Sequence, residues 1–228
     1  MKLFGKPLKL LIVDVDGVIL DVIEYLERDL KVVASRHDLP YAPVDAYLKE
    51  VYAGIRHGHA SFAEGCREFW PVLSAKESFR LAWQFQEERR KNPWPAINGS
   101  VEAIKWFRKH AIPLAICTTN DRKTLEHQLN AAGIEFSWFF AASTWESPYR
   151  KPDPRCLDPI FDAVEVPRGH AVYIGDWYPD VKAAKGADVP FIAVLSGGIP
   201  RHVFLKEGVP EDHIIPRFAD LKALVTPR

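Results

Sequence analysis

Three short apolar runs, each stopping at a polar residue, constrain the fold of this chain more than any other feature. They cover residues 8–13, 113–117 and 171–174, and each is rich in Val, Ile or Leu. Apolar runs of this length without polar alternation are typical of strands that are buried on both faces. Two further strands are predicted around residues 138–141 and 190–195. The chain is therefore expected to build a buried sheet.

Helical patterns of about ten residues separate the later strands. They cover residues 101–110, 122–132, 154–164 and 178–185. Buried strands that alternate with helices indicate an α/β fold, a Rossmann-like parallel sheet with helices on both faces. Ligands of such sheets bind at the carboxyl ends of the strands. Those ends are where a functional site is expected.

The region between residues 21 and 91 departs from this alternation because it has helical periodicity without a convincing strand. One apolar stripe at helical spacing consists of Val22, Leu26, Leu30 and Val33. Residues 92–99 then supply two prolines and a glycine, as a linker would. We therefore predict an α/β core formed by residues 1–20 and 92–228, with an all-helical domain inserted at residues 21–91 after the first strand.

Composition excludes several classes of partner. A chain of 228 residues is expected to form one domain, or one domain carrying an insertion. The 30 basic residues equal the 30 acidic ones, so the broad basic face of a non-specific nucleic-acid binder is not expected. The longest apolar run, at residues 189–195, is far shorter than the ~20 residues of a membrane span. Three widely spaced cysteines favour reduced thiols and a cytoplasmic location.

Polar residues follow the predicted strands at the point where each strand ends. In chain order they are two aspartates, a threonine pair with an asparagine, a lysine, and two more aspartates: Asp14 and Asp16; Thr118, Thr119 and Asn120; Lys151; Asp176 and Asp180. The carboxyl ends of parallel strands share one edge of the sheet. These side chains are therefore expected to meet.

Such a set of groups suits phosphoryl transfer to a carboxylate. A phosphate dianion about 4 Å from a carboxylate is repelled by ~8 kcal/mol at an effective dielectric of about 20. Magnesium held by Asp14 and Asp176 would offset much of that repulsion, because this ion prefers oxygen ligands. Lys151 and Thr118 would contact the phosphate oxygens. Asp16 would act as general acid towards the leaving oxygen and then as general base towards water.

The order and type of these residues resemble the haloacid dehalogenase superfamily. The resemblance covers residues 8–20 and 94–196 and includes Asp-x-Asp-Gly, a threonine at a strand end, Lys-Pro-x-Pro and Gly-Asp-x-x-x-Asp. It implies that Asp14 is the nucleophile that becomes an aspartyl-phosphate and that Asp16 is the acid/base. It also implies phosphate contacts from Thr118, or alternatively Thr119, and from Lys151. The implied Mg²⁺ ligands are Asp14, Asp16 through its backbone carbonyl, Asp176 and Asp180.

The helical insertion is similar to the mobile cap of the phosphoglycolate phosphatase and β-phosphoglucomutase branches of this superfamily. In those branches a cap loop reads the substrate, and the matching stretch here is Gly54-Ile55-Arg56. Arg56 is therefore predicted to contact the substrate. Asn120 is predicted to contact it as well, because it follows the threonine pair that is expected to bind the phosphate. The function implied is that of a Mg²⁺-dependent phosphatase acting on a small phosphomonoester, such as a phosphoglycolate- or sugar-phosphate-like molecule.

Three alternatives stay open. A phosphomutase would use the same residues and return the phosphoryl group to a substrate. A catalytically inactive phosphate-binding scaffold would keep the site without turnover. A signalling receiver module also phosphorylates an aspartate, but it would leave the helical insertion unexplained. The sequence is compatible with either a monomer or a homodimer.

Overall fold

The computed structural model describes residues 1–226 of the chain, and this part contains nine strands. In chain order they are β1 (Lys2–Leu3), β2 (Lys6–Pro7), β3 (Leu10–Val13), β4 (Leu114–Cys117), β5 (Ala141–Ser143), β6 (Ala171–Gly175), β7 (Phe191–Val194), β8 (Ile214–Ile215) and β9 (Val225–Thr226).

The main sheet has six parallel strands in the order β5-β4-β3-β6-β7-β8. Strands β3, β4, β6 and β7 are buried along their whole length, as expected for parallel strands covered on both faces. The central strand β3 pairs with β4 on one side and with β6 on the other. A small antiparallel sheet, in the order β2-β1-β9, joins the two ends of the described chain.

Nine α-helices accompany these strands within residues 1–226. They are α1 (Ile23–Ser35), α2 (Ala42–Tyr52), α3 (Phe62–Phe69), α4 (Ala75–Lys91), α5 (Ser100–Lys109), α6 (Arg122–Ala131), α7 (Asp158–Asp162), α8 (Tyr178–Gly186) and α9 (Arg201–Lys206). The predicted α/β class, with a Rossmann-like parallel sheet and a helical insertion, is confirmed.

Helices α1 to α4 follow β3 without an intervening strand and form the helical insertion. The longest of them, α4, begins at a capping box in which the Ser74 side chain accepts from the backbone N–H of Glu77 and the Glu77 carboxylate accepts from that of Ser74. Helix α4 packs against α1 and α3 and also against α6 of the sheet layer. The last helix of the insertion therefore contacts the α/β core directly. The boundaries 21 and 91 of the inserted domain stay a prediction.

One predicted strand was wrong in position. The expected strand at residues 138–141 begins only at Ala141, and Phe136–Trp138 form a turn of 3-10 helix. The guanidinium of Arg108, a residue of α5, lies 4.8 Å from the centroid of the Trp138 ring. Trp138 therefore packs against α5 and does not occupy a position in a strand. Four strands were not predicted because each has only two residues, too few to form a pattern in the sequence: β1, β2, β8 and β9.

Within residues 1–226 no helix has both the length and the apolar character required to cross a membrane.

Candidate active site

The acidic residues predicted at the strand ends come from two neighbouring strands. Asp14 follows β3 directly, and Asp176 follows β6, the parallel neighbour of β3. Because both strands end at the same edge of the sheet, the two carboxylates lie side by side. Asp180 lies in the first turn of α8, which starts immediately after the loop that carries Asp176.

Three buried carboxylates form one cluster at this edge. Carboxylate oxygens of Asp14, Asp176 and Asp180 all lie within 4.8 Å of one another. The Lys151 ammonium group donates to Oδ1 of Asp14 at 2.9 Å and to Oδ1 of Asp180 at 2.7 Å. All four side chains are almost completely buried. Three carboxyl groups therefore face one ammonium group at this edge of the sheet.

Asp180 is fixed by more than Lys151. The Tyr173 hydroxyl donates to its Oδ1 at 2.6 Å, and the backbone N–H of Trp177 donates to its Oδ2 at 3.0 Å. Both oxygens of this carboxylate thus already have protein donors. Asp180 is better placed to hold Lys151 in position than to offer a free oxygen.

Asp176 differs from Asp180 because one of its oxygens is unsatisfied. Its Oδ1 is buried and has no hydrogen-bond partner among the described residues. Two glycines make room for the same side chain: a Cβ atom added at Gly17 or Gly197 would overlap Oδ2 of Asp176. Gly17 also has a φ of +73°, which favours glycine. A buried, unpaired oxygen beside other carboxylates fits a divalent cation with oxygen ligands, such as Mg²⁺.

The electrostatics of the cluster support this fit. Burial raises the pKa of the Asp14 carboxyl to about 7, although Lys151 opposes the shift. Burial, together with the carboxylates of Asp14 and Asp180, raises the pKa of Asp176 well above its usual range. Burial alone would lower the pKa of Lys151, but Asp14 and Asp180 raise it well above its usual range. The single positive charge of Lys151 therefore does not balance three ionised carboxylates, and a bound divalent cation would supply the missing positive charge.

The two threonines that follow β4 lie beside this cluster. Thr118 and Thr119 both line a cavity of about 180 Å³ together with Asp14, Lys151 and Asp176. Thr118 is nearly buried, and its Oγ1 accepts from the backbone N–H of Asn120 at 3.2 Å. The structure thus brings both candidate phosphate contacts to the same edge of the sheet.

The second aspartate of the first motif points to a different partner. Oδ1 of Asp16 accepts from Nη2 of Arg89 at 2.6 Å, and its Oδ2 accepts from Nδ2 of Asn120 at 3.2 Å. Nη1 of Arg89 also donates to Oδ1 of Asn120 at 2.5 Å. Asp16, Arg89 and Asn120 therefore form a closed triangle of hydrogen bonds. Asn120, predicted to contact the substrate, here contacts Asp16.

Arg89 is the residue of this site that the sequence analysis missed. It lies near the end of α4 in the helical insertion, its side chain is only 1% exposed, and its guanidinium lies 3.9 Å from the centroid of the Trp94 ring. A signal was present: Leu81, Phe85 and Arg89 are spaced four residues apart and share the buried face of α4. A charged residue on such a face requires a partner of opposite charge, which here is Asp16.

Arg56 does not reach the cluster. Its guanidinium donates to both carboxylate oxygens of Glu68, at 2.6 and 2.9 Å, and lies over the Tyr47 ring. It is not among the residues that line the cavity beside Asp14. The loop that carries Arg56 does contact the core, because the Tyr178 hydroxyl donates to the Arg56 carbonyl oxygen at 3.0 Å. The predicted substrate contact of Arg56 is therefore not part of this arrangement.

Comparison with known proteins agrees with the resemblance seen in the sequence. Residues 8–188 match the model of the haloacid dehalogenase-like hydrolases. A phosphoglycolate phosphatase of Mesorhizobium japonicum is 27% identical over 204 residues, which cover 85% of this chain and 86% of that protein. A phosphoglycolate phosphatase of Pseudomonas savastanoi pv. phaseolicola is 24% identical over 210 residues, which cover 85% of this chain and 71% of that protein.

A solved structure shows the same fold. The crystal structure of a hydrolase from Pseudomonas syringae superposes with a TM-score of 0.78 at 19% sequence identity, and it covers 95% of this chain and 97% of that one. The family match spans both β3, with the first motif, and α8, with the last. The chain belongs to the haloacid dehalogenase-like hydrolase family and is an enzyme of that family.

Proposed function

We propose that this protein is a Mg²⁺-dependent phosphatase that hydrolyses a small phosphomonoester through an aspartyl-phosphate on Asp14. The observation that carries the proposal is the group of three buried carboxylates beside Lys151, one of them with an unpaired oxygen. The similarity to proteins named phosphoglycolate phosphatase supports the same reaction type.

The reaction begins with attack of an Asp14 carboxylate oxygen on phosphorus. The new oxygen–phosphorus bond makes an acyl phosphate while the bond from phosphorus to the substrate oxygen breaks. Asp16 gives a proton to the departing oxygen. Lys151 favours the ionised form of Asp14 against the effect of burial and, with Thr118 and Thr119, contacts the phosphoryl oxygens.

The second step releases phosphate. Asp16 takes a proton from a water molecule, which attacks the phosphorus of the acyl phosphate and frees the Asp14 carboxylate. A divalent cation held by Asp14 and Asp176, with the Asp16 backbone carbonyl and Asp180 as further candidates, would reduce the repulsion between phosphate and carboxylate.

Release of inorganic phosphate from p-nitrophenyl phosphate tests the proposal. We expect hydrolysis with Mg²⁺ and its loss in excess chelator, followed by recovery when the ion is restored. Equal rates with and without chelator would contradict the role of the ion. Incubation with a hexose monophosphate distinguishes a phosphatase from a phosphomutase. Isomerised product without free phosphate would contradict the phosphatase proposal.

Magnesium is expected to stabilise the folded protein if the acidic cluster binds it. A ligand present at about 100 times its dissociation constant adds about 2.7 kcal/mol to the free energy of unfolding. In a chain of this size the melting temperature then rises by roughly 5–10 °C. Differential scanning calorimetry with Mg²⁺ and with chelator measures the shift.

Asp176→Asn should abolish most of that shift, since it removes a charged ligand from the cluster. Asp162→Asn makes the same substitution at an exposed carboxylate outside the cluster and should keep the full shift. An equal magnesium effect in both variants would place the ion elsewhere.

Arg89 is proposed to position Asp16. Arg89→Lys keeps the positive charge but cannot donate to Asp16 and Asn120 with the same planar geometry. We expect kcat to fall about tenfold or more while KM changes little, because a misplaced acid costs rate more than binding. Steady-state kinetics with an alkyl phosphate measure the effect.

Arg90→Lys is the matched control, because the neighbouring Arg90 contacts Thr124 and Asp121 instead of Asp16. In the Asp16→Asn background Arg89→Lys should have no further effect on kcat, since both act through one carboxylate. An undiminished loss in that background would show that Arg89 acts through the fold and not through Asp16.

A further inference from the structure

The cavity beside the acidic cluster has an apolar wall. Asp14, Lys151 and Asp176 line it from the edge of the sheet, whereas the helical insertion lines it mainly with carbon. The contributing side chains of the insertion include Leu26, Leu30, Val44, Leu48, Phe62 and Phe69. A leaving group that extends from phosphorus into this cavity would therefore meet aliphatic and aromatic surface.

A second cavity of about 190 Å³ adjoins the first and has the same character. The two cavities share Asp16, Val22, Leu26 and Phe62 among their lining residues. The second is lined further by aromatic rings, including Phe79, Trp83, Trp94 and Trp145. Asp16, the group placed to protonate the leaving oxygen, thus has apolar surface on both sides.

The cations near these cavities already have partners. Among the described residues that line them, the basic ones are Lys151, His59 and Arg89. Lys151 pairs with two carboxylates of the cluster, His59 pairs with Glu68 at 2.8 Å, and Arg89 is held by Asp16 and Asn120. A carboxylate on the substrate in addition to the phosphate, as in phosphoglycolate, would find no cation without a carboxylate partner among them.

Two hydroxyls of the first cavity already accept hydrogen bonds, whereas Oε1 of Gln86 and Nε of Arg89 in the second cavity are buried without a partner among the described residues. The Tyr47 hydroxyl accepts from the backbone N–H of His59 at 2.5 Å, and Oγ of Ser61 accepts from the backbone N–H of Glu64 at 3.3 Å. A polyhydroxylated leaving group would lose its contacts with water and gain few from this wall. The carbon surface that dominates the first cavity suits a mainly apolar leaving group.

We propose that the substrate of this site is a phosphomonoester of an apolar alcohol, either a branched aliphatic or an aromatic one. The proposal rests on the phosphatase function above and adds the class of leaving group. Each buried methylene favours binding by about fourfold, so a leaving group of several carbons gains a large preference over a charged or hydroxylated one.

The test compares kcat/KM for three alkyl phosphates whose leaving oxygens are all aliphatic alcohols: 3-methylbutyl phosphate, glycerol phosphate and phosphoglycolate. We expect the value for 3-methylbutyl phosphate to exceed both others at least about tenfold. If phosphoglycolate or glycerol phosphate equals or exceeds it, while p-nitrophenyl phosphate is hydrolysed, the inference is wrong and the phosphatase function stands. If no phosphate is released from any of them in Mg²⁺, the phosphatase function itself fails.

Two variants test whether the preference for an apolar leaving group arises from the cavity. Leu26 lies in both cavities and is only partly buried, so Leu26→Arg adds a cation to the apolar wall. It should lower the ratio of kcat/KM for 3-methylbutyl phosphate over phosphoglycolate at least about tenfold. Val72→Arg adds the same charge at a residue of the insertion that is 86% exposed and lines neither cavity, and it should leave the ratio unchanged.

Leu26→Asn, which keeps the number of non-hydrogen atoms and the branching of the side chain, serves if Leu26→Arg does not fold. It should lower the same ratio at least about threefold. Because the ratio is measured within one preparation, it does not depend on the folded fraction. An unchanged ratio in a folded Leu26 variant would overturn the inference.

Discussion

Asp14→Asn is expected to reduce phosphate release by at least about 1,000-fold, because removal of a covalent nucleophile leaves only binding and electrostatic contributions to the rate. Asparagine has nearly the same shape as aspartate, and its carbonyl oxygen can still accept from Lys151, which lies 2.9 Å from Oδ1 of Asp14. The amide nitrogen cannot attack phosphorus. Release of inorganic phosphate from p-nitrophenyl phosphate measures the loss.

The fold of this variant is the necessary control. Burial raises the pKa of Asp14 to about 7, so a neutral side chain at this position is not expected to destabilise the protein. Circular dichroism and a melting temperature close to that of the unchanged protein would establish that the site, and not the fold, was lost. Activity within tenfold of the unchanged protein would contradict the assignment of Asp14 as nucleophile.

Asp16→Asn is expected to slow hydrolysis of an alkyl phosphate by about 10²–10⁴-fold, the usual range for loss of a general acid or base. In this variant the rate of the first step should depend on the leaving group. The anion p-nitrophenolate can leave without receiving a proton, whereas an alkoxide must be protonated as it leaves. With p-nitrophenyl phosphate the variant should still form the acyl phosphate on Asp14. It should then stall, because no base activates water.

Rapid-quench kinetics detect that stall as a burst of p-nitrophenolate followed by slow turnover. The alkyl phosphate, run in parallel, should give no burst. A uniform loss on both substrates without a burst would mean that Asp16 serves neither as acid nor as base. The asparagine carbonyl can still accept from Arg89, but the buried guanidinium loses its charged partner, so the melting temperature of the variant is the control for its fold.

The meeting of Asp14 and Asp176 was predictable from the sequence for a simple physical reason. Parallel strands end at one edge of a sheet, so polar residues that follow apolar runs must gather there. The prediction needed only the ends of the runs, and β3 and β6 end where the runs at residues 8–13 and 171–174 stopped, to within one residue. The roles assigned to these residues stay predictions.

The contact between Arg89 and Asp16 could not be predicted from such a rule. These residues lie 73 positions apart, and their meeting depends on how α4 docks against α6. Strand-end rules say nothing about the packing of an inserted domain. The spacing of Leu81, Phe85 and Arg89 indicated a buried arginine, but it could not name the carboxylate that pairs with it.

The contacts of Arg56 show that a residue in a plausible position need not contact the substrate. Its position in the loop after α2 agreed with a substrate contact, yet Glu68 lies twelve residues further along and takes both of its terminal nitrogens. Whether a loop cation is free or paired depends on tertiary packing, which local sequence does not encode. The apolar wall of the cavity could not be predicted either, because apolar residues such as Leu26 and Val44 have the spacing of ordinary core positions in a helix.

Detection of the phosphorylated residue tests the central claim most directly. The Asp16→Asn variant is mixed with p-nitrophenyl phosphate and Mg²⁺, quenched in acid, reduced with borohydride and digested. Borohydride converts an aspartyl-phosphate into homoserine, which mass spectrometry locates in the peptide. The account predicts homoserine at position 14 and none in a sample of Asp14→Asn treated in the same way. Homoserine at another position, or burst kinetics without any modified residue, would contradict it.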